Sequence, residues 1–244
     1  MIEVCAGSYQ DCLAAYHGGA KRVELNSALS VGGLTPSLSA LIHVKKETDL
    51  KVICMVRPRA AGFCFDENDT KIMFEDAELL MKNGADGLAF GFLNPDGTIK
   101  EDDTKKMIDL IHKYGGEAVF HRAFDVTPDP FKAAETLIAL HADRILTSGQ
   151  EAKAVQGTVL LKQLQDRYGN QIELLAGSGM NATNAKSLME ETGIKQVHSS
   201  CKNYAEDTTT TRNHVSYSYL SEPHQNDYDI VDEELVRKLV ESVK

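Results

Sequence analysis

A chain of 244 residues, 42% hydrophobic and 25% charged, has the composition of an ordinary globular protein with a full core, and its length fits one α/β barrel. The formal net charge of -10 excludes non-specific binding to nucleic acid or to an anionic membrane surface, both of which need a basic footprint. No apolar run reaches the roughly 18 residues of a membrane span, and Met1-Ile2-Glu3-Val4 lacks the basic start of a signal peptide, so a cytoplasmic protein without a membrane partner is expected.

Along the chain, short β-rich runs alternate with stretches of helical period, the pattern of βα units around a parallel sheet. Eight strands are predicted: Ile2 to Cys5, Arg22 to Asn26, Val52 to Arg57, Gly87 to Phe92, Ala118 to Arg122, Arg144 to Ser148, Ile172 to Ala176 and Gln196 to Ser200. Eight such strands close a (β/α)8 TIM barrel, a single domain over residues 1–244. The alternative, an open doubly wound sheet, lacks a G-x-G-x-x-G fingerprint after the first strand.

Between the strands, Ser8, Thr35 and Asp129 are predicted N-caps, the last two with proline (Pro36, Pro130) at the first helical position. Thr98-Ile99-Lys100-Glu101 reads as a capping box before Met107, Ile108 and Ile111. A weak repeat recurs before the even-numbered strands, in Gly18-Gly19-Ala20-Lys21, Gly84-Ala85-Asp86, His141-Ala142-Asp143 and the looser Gly193-Ile194-Lys195. Pro58 to Asp69, with Gly62 and two phenylalanines, is expected to form a lid. Residues 202–229 read as a long eighth loop at the ligand face, and residues 232–243 as a closing helix with Leu235, Val236, Leu239, Val240 and Val243 on one stripe.

In such a barrel the loops after the strands carry function, so polar residues at strand ends are the candidates. Glu3, Glu24, Arg57, Arg59, His121, Arg122, Asp125, Thr147, Ser148, His198 and Ser200 all fall there. If Glu3, Glu24 and Arg57 face inward, they form a carboxylate–guanidinium network at the mouth, either to hold the barrel's register or to serve a site. In the functional reading Arg57 and Arg59 bind an anion, while Glu3, His121 or Asp125 moves a proton. Strand alternation sets His121 and Arg122 on opposite faces.

The Gly177-Ser178-Gly179 turn, ahead of a helix begun by Asn181 or Thr183, has the form of a phosphate-binding link, with Arg212 of the eighth loop as a further cation; a plain tight turn is the competing reading. The five cysteines have no C-x-x-C pair, so neither a disulfide framework nor a structural zinc site is signalled. Cys5 ends the first strand and Cys201 follows the eighth, closure makes these strands neighbours, and the two form the one expected thiol pair for a soft ion such as Cu(I). Cys12 and Cys54 read as small buried hydrophobes. His17, His43, His112 and His141 read as surface or packing residues.

Several of these stretches together resemble the copper homeostasis protein CutC family. They are Glu3-Val4-Cys5, Arg22-Val23-Glu24-Leu25, Gly32-Gly33-Leu34-Thr35-Pro36-Ser37, Met55-Val56-Arg57-Pro58-Arg59, Gly84-Ala85-Asp86-Gly87-Leu88, Phe120-His121-Arg122-Ala123-Phe124-Asp125, Arg144-Ile145-Leu146-Thr147-Ser148-Gly149 and Arg212-Asn213. The resemblance implies a cytoplasmic barrel, usually a homo-oligomer, connected with copper homeostasis, with Cu(I) held by two cysteines in some members. The first of those positions is Cys5. The second falls on Asn26, where a hard amide replaces a soft thiolate. No reaction is implied, and whether the protein is an enzyme stays open. Two main readings follow: a copper-homeostasis protein holding Cu(I) through Cys5 and another soft ligand, or a barrel enzyme acting on a small anionic or phosphorylated metabolite. A third is an interaction protein without a small ligand.

Overall fold

Short runs buried on both faces form the eight strands, as a parallel sheet covered by helices requires, and the computed structural model describes all of residues 1–244. The strands are β1 (Ile2–Ala6), β2 (Arg22–Leu25), β3 (Lys51–Met55), β4 (Gly87–Phe90), β5 (Glu117–Phe120), β6 (Arg144–Thr147), β7 (Glu173–Gly177) and β8 (Gln196–Ser199). They pair in parallel and in order, and β8 closes on β1 with Ile2 beside Val197 and Glu3 beside His198. The connecting helices are α1 (Tyr9–His17), α2 (Leu38–Glu47), α3 (Glu67–Lys82), α4 (Glu101–Lys113), α5 (Pro130–Ala139), α6 (Thr158–Tyr168) and α7 (Ala185–Thr192), and α8 (Glu233–Ser242) completes the outer ring. The chain is therefore a (β/α)8 TIM barrel. No helix is long and apolar enough to cross a membrane.

The strands from β3 to β7 are apolar on both faces. Outward residues such as Val4, Val23, Val52, Leu88, Phe120 and Val197 join the layer beneath the helices, where burial is worth about 1.5–3 kcal/mol for each large side chain. Inward, a separate cluster of Ile53, Met55, Ala89, Val119, Leu146 and Leu175 fills the barrel from the side of β3 to β7. The inner face of β1, β2 and β8 is polar instead, with Glu3, Glu24 and His198 all buried. This asymmetry positions the site.

Local signals hold in part. Ser8 and Asp129 cap α1 and α5, with Pro130 at the start of α5. The last helix, α8, is capped by Asp232, whose carboxylate accepts from the Leu235 N–H at 3.0 Å. Gly19, Gly84 and Gly193 end their helices at φ +92°, +95° and +78°, and His141 takes +67° at the equivalent place. Thr35, however, caps nothing. Ser37 caps α2, while Thr35 Oγ1 accepts from the Arg57 N–H at 3.0 Å and so fastens the end of β3, a long-range use that the Thr-Pro pair conceals. The capping box also fails to form: Thr98 donates to Asp96 Oδ1 at 2.6 Å within its own turn, and α4 starts without a side-chain cap.

Residues 202–229 are not a structureless loop. β9 (Lys202–Glu206) pairs antiparallel with β12 (Asp227–Val231), and a hairpin of β10 (Thr211–Arg212) and β11 (Val215–Ser216) lies between them. Partners more than twenty residues apart leave no periodic trace in a short polar strand. In α8, Val236 and Leu239 are buried whereas Leu235 is 38% exposed, so the apolar stripe is narrower than its composition.

Candidate functional site

Ring closure builds a column of charge inside the barrel. Arg22 Nε lies 2.5 Å from Glu3 Oε2, and Arg144, which opens β6, reaches Glu3 at 3.8 Å, Glu117 at 2.7 Å and Glu173 at 3.1 Å. Glu3 Oε1 in turn meets His198 Nδ1 at 2.8 Å. Burial alone would raise the Glu3 carboxyl, but the hydrogen bond from His198 and the charges of Arg22 and Arg144 outweigh it and hold it at about 2. Burial also opposes a charged His198. Its neighbours Glu24, Cys5 and Glu3 nevertheless hold the imidazole well above its ordinary value.

The partners of Glu3 are therefore Arg22 and Arg144 rather than Arg57. Both arginines stand at the first position of a strand, where alternation points them inward beneath Glu3. The Arg57 guanidinium, beyond the end of β3, turns to the carbonyls of Val31, Gly33 and Ala61 at 3.0, 2.9 and 2.6 Å.

Above this column lies a cluster of mixed donors. Cys5 and Glu24 face one another in the β1–β2 register, with Cys5 Sγ 3.8 Å from Glu24 Oε2 and His198 Nε2 3.8 Å from the same oxygen. One sulfur, one nitrogen and one oxygen, from Cys5, His198 and Glu24, all lie within 4.8 Å of one another. Asn26 Nδ2 donates to Cys5 Sγ at 3.6 Å and to Glu24 Oε2 at 3.0 Å. Burial raises both the Cys5 thiol and the Glu24 carboxyl. This set of donors suits a soft or borderline cation through sulfur and nitrogen, with the carboxylate as a harder third ligand.

Cys201 does not join the cluster. It lies an odd number of residues after the inward-facing His198 and is buried in the outer layer, its thiol 3.6 Å from Ser199 Oγ. His198 takes the place that sequence reasoning gave to Cys201. Its position at a strand end was visible, but its role was not assigned; an even offset from Gln196 on the strand next to Glu3 was the available signal.

A cavity of about 390 Å³ opens over the cluster at the carboxyl ends of the strands. Cys5, Glu24 and His198 form one wall, and Met55 and Leu146 supply apolar surface. Arg57 and Phe63 from beyond β3 and His121 and Arg122 from beyond β5 line it further, with Ser178, Gly179 and Lys202. His121 and Arg122 line it together, because a 3-10 turn over Arg122–Val126 interrupts strand alternation. The His121 ring accepts the Ala123 N–H at Nδ1, which leaves its proton on Nε2. Burial and the Arg57 charge press its pKa down to about 3, so it is a neutral donor.

The remaining candidates are placed elsewhere or fully occupied. Arg59 pairs with Asp69 at 2.6 Å and lies 4.9 Å over the Phe65 ring, away from the cavity. Asp125 accepts from Thr147 Oγ1, Ser148 N, Ser148 Oγ, Gln150 N and Arg122 Nε, which makes it a knot between two loops with little capacity left for moving a proton. Gly177 lies within β7 next to Leu146, and Ser178 Oγ donates to the Ala152 carbonyl at 2.7 Å. The helix after this turn begins only at Ala185, and Arg212 is exposed on the β10–β11 hairpin, so turn, helix start and Arg212 do not converge.

Fold and site together define a (β/α)8-barrel protein whose carboxyl-terminal mouth holds a thiol–imidazole–carboxylate cluster. Residues 1–203 match the CutC family, and the chain belongs to that family. A family protein CutC from Treponema denticola is 43% identical over 243 residues, covering 99% of this chain and 98% of the relative. A mouse protein named copper homeostasis protein cutC homolog is 36% identical over 213 residues, 87% of this chain and 78% of the relative. Among solved structures, a CutC crystal structure from Streptococcus agalactiae superimposes with a TM-score of 0.77 at 31% identity, covering 82% of this chain and 98% of that one. β9 begins at the edge of the matched residues, and most of the ribbon lies beyond them.

Proposed function

We propose that this protein serves copper homeostasis by holding Cu(I) at Cys5 and His198, with Glu24 beside them. The observation that carries the reading is the convergence of the three side chains within 4.8 Å on one wall of a cavity. Sulfur is the ligand Cu(I) prefers, and imidazole is a good second donor. The names of relatives such as the mouse protein support the copper context. With Asn26 in the second thiol position that the family resemblance implies, the site has one thiolate and binds more weakly than a two-thiolate site. Binding displaces the proton from the Cys5 thiol and the one on Nε2 of His198, so the site loads with proton release.

A reducing, cytoplasmic setting suits five cysteines that are all free. Self-association belongs to the same reading and is supported by exposed Val215, Tyr217, Tyr219 and Tyr228 on the ribbon region. Anaerobic titration with Cu(I) against a competing chelator tests the main point. One equivalent should bind to the wild-type protein, Cys5→Ser should abolish that binding and His198→Gln should weaken it. Unchanged affinity in Cys5→Ser would remove the cluster from copper handling.

A further inference from the structure

Two of the three fully embedded guanidiniums have carboxylate partners: Arg22 meets Glu3, and Arg144 meets Glu3, Glu117 and Glu173. Arg57 has none. It is 5% exposed, its guanidinium is held by backbone carbonyls alone, and its Nε has no hydrogen-bond partner. A buried cation without a counter-charge is costly, and native proteins normally pair it. A second orphan lies beside it. His121, 3% exposed, keeps its proton on Nε2, and that atom also lacks a partner.

Both residues line the same cavity, and one aromatic ring covers both. Phe63, from the segment after β3, has its centroid 5.2 Å from the Arg57 guanidinium carbon and 4.9 Å from the His121 ring. Phe63 packs at the edge of the main apolar cluster and is itself only partly buried, so its side chain has an outward path. Arg122 adds a second cationic group to the cavity lining. Its Nε and Nη2 are engaged by Asp125, Ser148 and Glu151, which leaves Nη1 for a ligand.

The geometry points to a binding site for a small organic anion in this cavity, its acidic group received by Arg57 and His121 once Phe63 moves aside and its apolar part lying on Met55 and Leu146. At about 390 Å³ the space is near the small end of ligand cavities, roughly 300–1,000 Å³, and suits a small carboxylate or phosphate ester. β5 and β1 stand on opposite sides of an eight-strand ring, so His121 faces the thiol cluster across the cavity, while Arg57, beyond β3, stands between the two. The inference does not depend on metal binding.

Calorimetry and thermal unfolding of the full-length protein, titrated separately with inorganic phosphate and with succinate, test the site. The wild-type protein should bind at least one of them at a single site and gain thermal stability. Preference for phosphate identifies a phosphate ester as the ligand class, and preference for succinate a carboxylate. Arg57→Met should weaken binding by about tenfold or more, the effect of losing a charged hydrogen-bond partner. Cys5→Ser should bind the anion normally while losing Cu(I), so failure of one site is distinguishable from failure of the other. Because Arg57 also ties down loop carbonyls, Phe63→Ala provides a second variant: it should fold normally and bind the anion more tightly, since its cover is gone. Absence of binding by both wild type and Phe63→Ala overturns the site, as does full-strength binding by a folded Arg57→Met. If Arg57→Met does not fold, Phe63→Ala decides, and unchanged affinity there counts against the site.

Discussion

The Nδ1 of His198 lies 2.8 Å from Oε1 of Glu3, across the seam where β8 closes on β1. This contact fixes the imidazole plane and directs Nε2 toward Cys5 and Glu24. Carboxylates commonly orient metal-ligating histidines in this way. Glu3 is itself held by Arg22 and Arg144, so the orientation of the upper cluster depends on charges deeper in the barrel.

Removing the Glu3 charge should therefore be severe. Glu3→Gln leaves His198 and two guanidiniums buried with less compensation, and a loss of about 3–5 kcal/mol in unfolding free energy is expected. Denaturant melts read this directly; a loss under about 1 kcal/mol would show that the column is not a coupled network.

Asn26 approaches the Cys5 sulfur to 3.6 Å through its amide nitrogen. Asn26→Cys places a second thiol at that point and should raise Cu(I) affinity by at least about tenfold, because thiolate is the softer ligand. Chelator competition under anaerobic conditions measures the change, and equal affinity in both proteins would indicate that copper does not bind there.

His121 gives a pH signature. Its folded pKa of about 3 lies below the unfolded value near 6.5, so the unfolded chain binds the extra proton between these limits. Stability from this residue is complete above pH 6.5 and falls with acidification by about 1.4 kcal/mol per pH unit down to about pH 3. The charge facing it is that of Arg57. His121→Gln should flatten the acid limb of a stability–pH curve relative to the wild type, and parallel curves would refute the assignment.

Gly33 takes φ +85°, and a Cβ there would lie 2.4 Å from Asn26 Oδ1. Gly33→Ala should cost about 1–3 kcal/mol through backbone strain and should displace Asn26 from Cys5. Gly62 is the control, with no atom within 4 Å of its Cβ position; Gly62→Ala should stay within about 0.5 kcal/mol. Equal melting temperatures for the two variants would contradict the close approach.

Much of the barrel was legible because its signals are local. Every predicted strand start lies within one residue of an observed one, since short apolar runs set between helical stretches are a local signal. Ser8 and Asp129 were legible as caps because their partners lie two or three residues away. Thr35 was misread for the complementary reason: its partner is the backbone of Arg57, 22 residues on, and no local pattern records that contact.

The same division runs through the site. Residue type and strand position were enough to single out Cys5, Glu24, Arg57 and His121 as polar groups near the mouth, because charge inside a strand must be explained. Ring closure decided that Glu3 meets His198 of β8 and Arg144 of β6 as well as Arg22 of the neighbouring β2, and the tertiary course of the loops left Arg57 facing carbonyls instead of a carboxylate. Side-chain alternation is written residue by residue along the chain. Which inward groups become neighbours depends on register across the closed ring, a property of all eight strands together.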